Sequence, residues 1–121
     1  MATRQYTAGI IGLGYGRAHI AGFQAAGVKV LALCQRDTET AAKLANKYQV
    51  PHVFGRWQDM LAQARPDIVV IATPPALHLP ILQAAVTAGC YVVCEKPLAT
   101  TTAEAQAMVA AAATSSCSVI T

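Results

Sequence analysis

Charge is scarce in this sequence. Only 12% of its 121 residues are Asp, Glu, Lys or Arg, against about 25% in an average soluble domain. A small domain this poor in charge exposes apolar surface, so another domain or subunit is expected to cover part of it. The net charge of +3 is modest. Its basic residues are scattered and form no stripe, which counts against a nucleic-acid partner. No apolar run approaches the roughly 18 residues of a membrane span. The opening run Met1-Ala2-Thr3-Arg4-Gln5-Tyr6 leads straight into a strand pattern and lacks the shape of a signal peptide. Cys34, Cys90, Cys94 and Cys117 make no C-x-x-C pair. Neither a zinc site nor a disulfide framework is expected, and a reducing cytoplasm fits best.

What is present is alternation. Apolar strand runs at 6–12, 28–34, 52–54, 68–72, 91–94 and 118–120 alternate with helical segments at 17–26, 37–48, 57–64, 78–89 and 101–113. Gly27 stops the first helix, and Asp37 is a good N-cap for the second. Pro80 is tolerable only in a first helical turn, which puts a helix start near His78. Thr101-Thr102-Ala103-Glu104 has capping-box spacing. The run Ile68-Val69-Val70-Ile71-Ala72 is apolar on both faces, as parallel strands are. Together these predict an α/β fold: a doubly wound, mostly parallel sheet in one domain spanning 1–121. There is no internal repeat and no linker. The last strand pattern begins as the chain stops, so a longer protein is expected.

Three places carry chemistry. Cys94-Glu95-Lys96-Pro97 follows a short strand, and strand carboxyl ends are where parallel sheets bind ligands. Glu95 and Lys96 are therefore site candidates, with a surface turn carrying an ion pair as the alternative. Gly12-Leu13-Gly14-Tyr15-Gly16 lies between the first strand and first helix. Gly12 suits the tight turn, Gly14 lets the backbone approach a diphosphate, and a helix N-terminus offers unpaired N–H groups. Strict spacing puts the third glycine at position 17, where this chain has Arg17. Gly16 stands one residue early, so either the loop is shorter or Gly16 has another task. The acid that binds an NAD ribose, about 20 residues further on, is replaced by Gln35. Arg36 follows it, and Asp37 is explained as a cap. Gln35 does not repel a 2′-phosphate and Arg36 can pair with one, which favours NADP, with NAD possible. His19 is expected to pack, and Trp57 and Met60 to be core or interface.

With the glycine turn and His19, Ala72-Thr73-Pro74, His78, Ala88-Gly89 and Cys94-Glu95-Lys96-Pro97-Leu98 in place, the whole chain resembles the N-terminal domain of the Gfo/Idh/MocA oxidoreductases. The resemblance implies a Rossmann-like, three-layer α/β/α domain. It implies that Gly12, Gly14 and the backbone of Tyr15 and Gly16 hold the diphosphate, with Gln35 and Arg36 at the adenosine ribose. Thr73, Pro74 and His78 would line the cofactor groove. Glu95 and Lys96 would lie near the nicotinamide, with Lys96 on the substrate hydroxyl or carbonyl. Members of that family move hydride to or from a sugar, cyclitol or related polyol. A second, open-sheet domain, outside these 121 residues, would supply most of the substrate pocket, another catalytic residue and a homo-oligomer interface. A non-catalytic dinucleotide-binding sensor or regulatory domain is the alternative, because fold does not determine function.

Overall fold

The computed structural model describes residues 4–96, 98–113 and, by backbone, 119–120. Its elements run β1 (Thr7–Ile11), α1 (Ala18–Ala25), β2 (Lys29–Cys34), α2 (Thr38–Tyr48), β3 (His52–Phe54) and α3 (Trp57–Gln63). They continue with β4 (Ile68–Ile71), a 3-10 turn (Pro75–Leu77), α4 (His78–Thr87), β5 (Tyr91–Cys94), α5 (Thr102–Ala113) and β6 (Val119–Ile120). Every expected element is present, shifted by at most a residue or two at its ends. Ser118, expected to start the last strand, and Pro97 lie outside the described residues. So does Cys117.

All strand pairs are parallel, in the order β3-β2-β1-β4-β5-β6. The chain runs outward from β1 to β3, returns to pair β4 with β1, and continues the other way. This reversal places the topological switch point between β1 and β4, where doubly wound sheets bind their ligands.

Side chains on successive strand residues pack on opposite faces. Ile10, Leu33 and Val70 join Ile20, Ala41 and Ala45 from α1 and α2. Ile11, Cys34 and Ile71 join Met60, Ile81, Leu82 and Met108 from α3, α4 and α5. Two cores therefore sandwich one sheet, which is why its central strands carry no polar face. Each fully buried Ile or Leu contributes roughly 1.5–3 kcal/mol.

The helix ends follow local chemistry. Asp37 Oδ1 accepts from the N–H groups of Glu39 and Thr40, and Oδ2 accepts from the Thr40 hydroxyl. Those bonds, the hydroxyl first, hold its carboxyl below the ordinary range. Gly27 (φ 83°) and Gly89 (φ 82°) close α1 and α4 in left-handed conformations, which glycine adopts without strain. Pro80 falls in the first turn of α4. The capping box at α5 is half-formed. Thr101 Oγ1 accepts from the Glu104 N–H, while the Glu104 carboxylate turns to the hydroxyls of Thr100 and Thr101. Among the described residues no helix is long and apolar enough to cross a membrane.

Candidate functional site

The sheet ladder reaches one residue past each central strand. Gly12 N–H donates to Cys34 O, Ala72 N–H to Ile11 O, Glu95 N–H to Ile71 O and Gln35 N–H to Phe54 O, at 2.8 to 3.0 Å. The first residues of four loops are thus fixed on one rim. Above that rim lies a groove of 1230 Å³ walled by the glycine turn, Gln35-Arg36, Gly55–Gln58, Ala72–Pro75 and Glu95-Lys96.

The three glycines of the turn do different work. Gly12 has φ 89°, and a Cβ there would lie 2.6 Å from Ala72 O. A Cβ on Gly16 would lie 2.0 Å from Gly12 O and 3.1 Å from the Ala72 Cβ. Gly16 therefore supplies the close approach of turn to sheet that the missing glycine at position 17 would have supplied, one residue earlier. Gly14 meets nothing within 4 Å, so its missing side chain leaves open space. Among the described residues, none accepts from the backbone N–H groups of Gly14, Tyr15 or Gly16. Unpaired N–H groups bordering open space make an anion cradle. Leu13 anchors the turn by its buried side chain.

Gln35 was expected at a ribose, and the structure gives it a further bond. Its Oε1 accepts from Leu13 N–H at 2.8 Å, so Gln35 braces the glycine turn while still lining the groove. Arg36 is exposed on the same wall. Arg17, which occupies the strict third-glycine position, donates from Nε to Leu13 O at 2.7 Å.

His78 requires a correction: it does not line the groove. Its ring is fully buried, and each ring nitrogen faces a carbonyl oxygen at 2.9 Å, Nδ1 that of Leu98 and Nε2 that of Thr73. The ring lies beneath the site because α4 begins there and turns its first residue into the core. It connects the loop after β4 to the loop after β5. Cys94 Sγ lies 3.3 Å from Nδ1. Burial, then the Glu95 charge, pushes the Cys94 thiol up to about 11, and burial with the Asp59 charge does the same to Cys34. Both are protonated at neutral pH and chemically quiet.

His19 is the residue whose role the sequence reading missed. It lines the groove, with its Nε2 2.5 Å from Glu95 Oε1. The two are 76 positions apart, and only the order of the sheet brings α1 over the end of β5. Glu95 thus pairs with His19, and among the described residues Lys96 has no carboxylate partner. Trp57, expected in core or interface, is half-buried on the groove wall, while Met60 is wholly core. The Thr73 hydroxyl, also at the wall, is buried without a partner.

Comparison with known proteins agrees with this geometry. Residues 6–121 match the family described as "Oxidoreductase family, NAD-binding Rossmann fold". The chain is 37% identical over 84 residues to scyllo-inositol 2-dehydrogenase (NADP(+)) of Bacillus subtilis (strain 168), covering 69% of this chain and 26% of that protein. It is 36% identical over 81 residues to D-glucoside 3-dehydrogenase of Escherichia coli (strain K12), covering 67% and 23%. It superimposes on scyllo-inositol dehydrogenase from Lactobacillus casei, solved with NAD(H) and scyllo-inositol, with a TM-score of 0.86 at 25% identity. That match covers 92% of this chain and 34% of that one. The chain spans about a quarter of the length of these curated relatives. A switch-point groove, a glycine cradle and a family match over nearly every residue lead to one statement: the chain belongs to the Gfo/Idh/MocA oxidoreductases and forms their NAD-binding Rossmann domain.

Proposed function

We propose that the groove binds a nicotinamide dinucleotide, NADP in preference to NAD, and serves hydride exchange with an alcohol carbon of a sugar, cyclitol or related polyol. The observation that carries this reading is the open cradle at Gly14 beside N–H groups without an acceptor among the described residues, in the same groove as Lys96. The residues fit the group. Gly12, Gly14, Tyr15 and Gly16 would hold the diphosphate, and Gln35 and Arg36 the adenosine ribose. Thr73 and Pro74 would form a wall, where the unpartnered Thr73 hydroxyl would gain an acceptor. Glu95 and Lys96 would stand at the nicotinamide end. When bound, the nicotinamide supplies a hydride donor or acceptor.

The chain's own part is to orient, to exclude water and to handle a proton. Lys96 is exposed and, among the described residues, unpaired, which leaves its ammonium to polarise a substrate oxygen, or its amine to take the proton. Glu95 is held by His19, which keeps it from neutralising Lys96 through a direct pair. Relatives named for inositol and glucoside substrates support the polyol reading. Their greater length supports a second domain that completes the pocket, with assembly into a homo-oligomer through that domain. Two buried, protonated thiols, Cys34 and Cys94, support a reducing compartment, the cytoplasm.

The test is Lys96→Ala in a protein carrying the substrate domain. The expected result is a fall in kcat of roughly 10²–10⁴ with dinucleotide still bound. Retained kcat with intact NADPH binding would remove Lys96 from the chemistry.

A further inference from the structure

Two arginines line the groove on loops that follow neighbouring strands, Arg36 after β2 and Arg56 after β3. The β2–β3 ladder pairs Cys34 with Phe54, and Gln35 N–H extends it by donating to Phe54 O at 3.0 Å. Two residues past that last pair, one strand has Arg36 and the other Arg56. Arg56 itself keeps an extended backbone (φ −124°, ψ 130°) within the bend that leads into α3. Its neighbour Gly55 is seated against α2, with the Thr38 methyl 3.3 Å from where a Cβ would be. Both arginines are exposed and line the groove. Among the described residues neither guanidinium has a hydrogen-bond or ion-pair partner.

Two guanidinium charges on one groove wall repel each other. Among the described residues no carboxylate pairs with either of them. Among the described residues the one acid of the groove wall is Glu95, held by His19. Asp37 is turned into its cap at α2. Asp59, on α3, is not part of the wall. Two guanidinium forks flanking one open space suit a phosphate monoester dianion, which each can bind in bidentate fashion.

We infer that Arg56 is the second ligand of the 2′-phosphate of NADP, facing Arg36 across it, and that this pair sets cofactor choice. The inference rests on the groove being a dinucleotide site. Arg56 precedes α3 and makes no side-chain cap bond, so its replacement leaves the helix start intact.

The test titrates the chain with NADPH and NADH by nicotinamide fluorescence, and with 2′,5′-ADP and 5′-AMP as competitors. Arg56→Gln is expected to weaken NADPH and 2′,5′-ADP by about tenfold or more. NADH and 5′-AMP should stay within about twofold. Arg56→Lys should fall between, since it keeps the charge and loses the fork. The double change with Arg36→Gln should reverse the preference. If the wild type prefers NADPH but Arg56→Gln weakens both dinucleotides equally, or neither, Arg56 has no such role and the NADP reading stands. If the wild type prefers NADH, the NADP reading fails and takes the arginine pair with it.

Discussion

The glycine turn shows how one atom separates folding from binding. Gly14 and Gly16 are two residues apart, yet a methyl group means opposite things at each. On Gly16 it would overlap Gly12 O, at 2.0 Å; Gly12 cannot retreat without breaking the rim ladder, nor Gly16 without losing the His19 N–H bond that starts α1. On Gly14 it enters open space. Gly16→Ala is therefore expected to lower stability by more than about 2 kcal/mol in urea denaturation. Gly14→Ala should leave the unfolding midpoint of the free protein within about 0.5 kcal/mol. It should nevertheless weaken dinucleotide binding by about tenfold, or ~1.4 kcal/mol, because the methyl occupies the cradle. Equal binding by Gly14→Ala and wild type would show that the diphosphate does not approach the turn there.

At the scale of elements, residues that act through local rules were legible from sequence, and those that act across the sheet were not. Asp37, Gly27 and Pro80 each satisfy a helix end within a few positions, so their roles could be read directly. Strands apolar on both faces announced parallel pairing, and the positions of Gly12, Thr73 and Glu95 at strand ends followed. The His19–Glu95 contact, the Gln35–Leu13 bond and the burial of His78 span 76, 22 and up to 20 positions. They depend on which strands are neighbours, and no local pattern encodes that. Arg56 escaped notice for the same reason: its meaning comes from Arg36 on the next strand. His78 joins two of these elements, since its ring nitrogens face the Thr73 and Leu98 carbonyls. His78→Leu fills the space with similar apolar bulk but leaves unmet the carbonyl that the ring N–H serves, at roughly 1–3 kcal/mol. The expected outcome is a loss of about 1–3 kcal/mol in denaturant unfolding and faster amide hydrogen exchange in both loops. A loss confined to one loop would show that the ring does not couple them.

At the scale of the whole molecule, one sheet serves two cores and one groove. Residues of β1, β2 and β4 contribute to both clusters, so neither core can dissolve while the other stays intact. The groove is walled by the loops after β1, β2, β3, β4 and β5. A ligand seated there touches elements from both halves of the doubly wound fold, and the unfolded chain has no such site. Dinucleotide binding must therefore stabilise the entire domain and not one lobe of it. At a free concentration of 100 times Kd the gain is about 2.7 kcal/mol. For a domain of this size that raises the thermal midpoint by roughly 8–15 °C. The measurement is a melt followed by far-UV circular dichroism and by Trp57 fluorescence, with and without NADPH. Trp57 reports from the groove wall and circular dichroism from every helix, so the two transitions should coincide and move together. Separate transitions would show that the two cores unfold independently. An unmoved midpoint at saturating NADPH and NADH would mean that the groove is not a dinucleotide site.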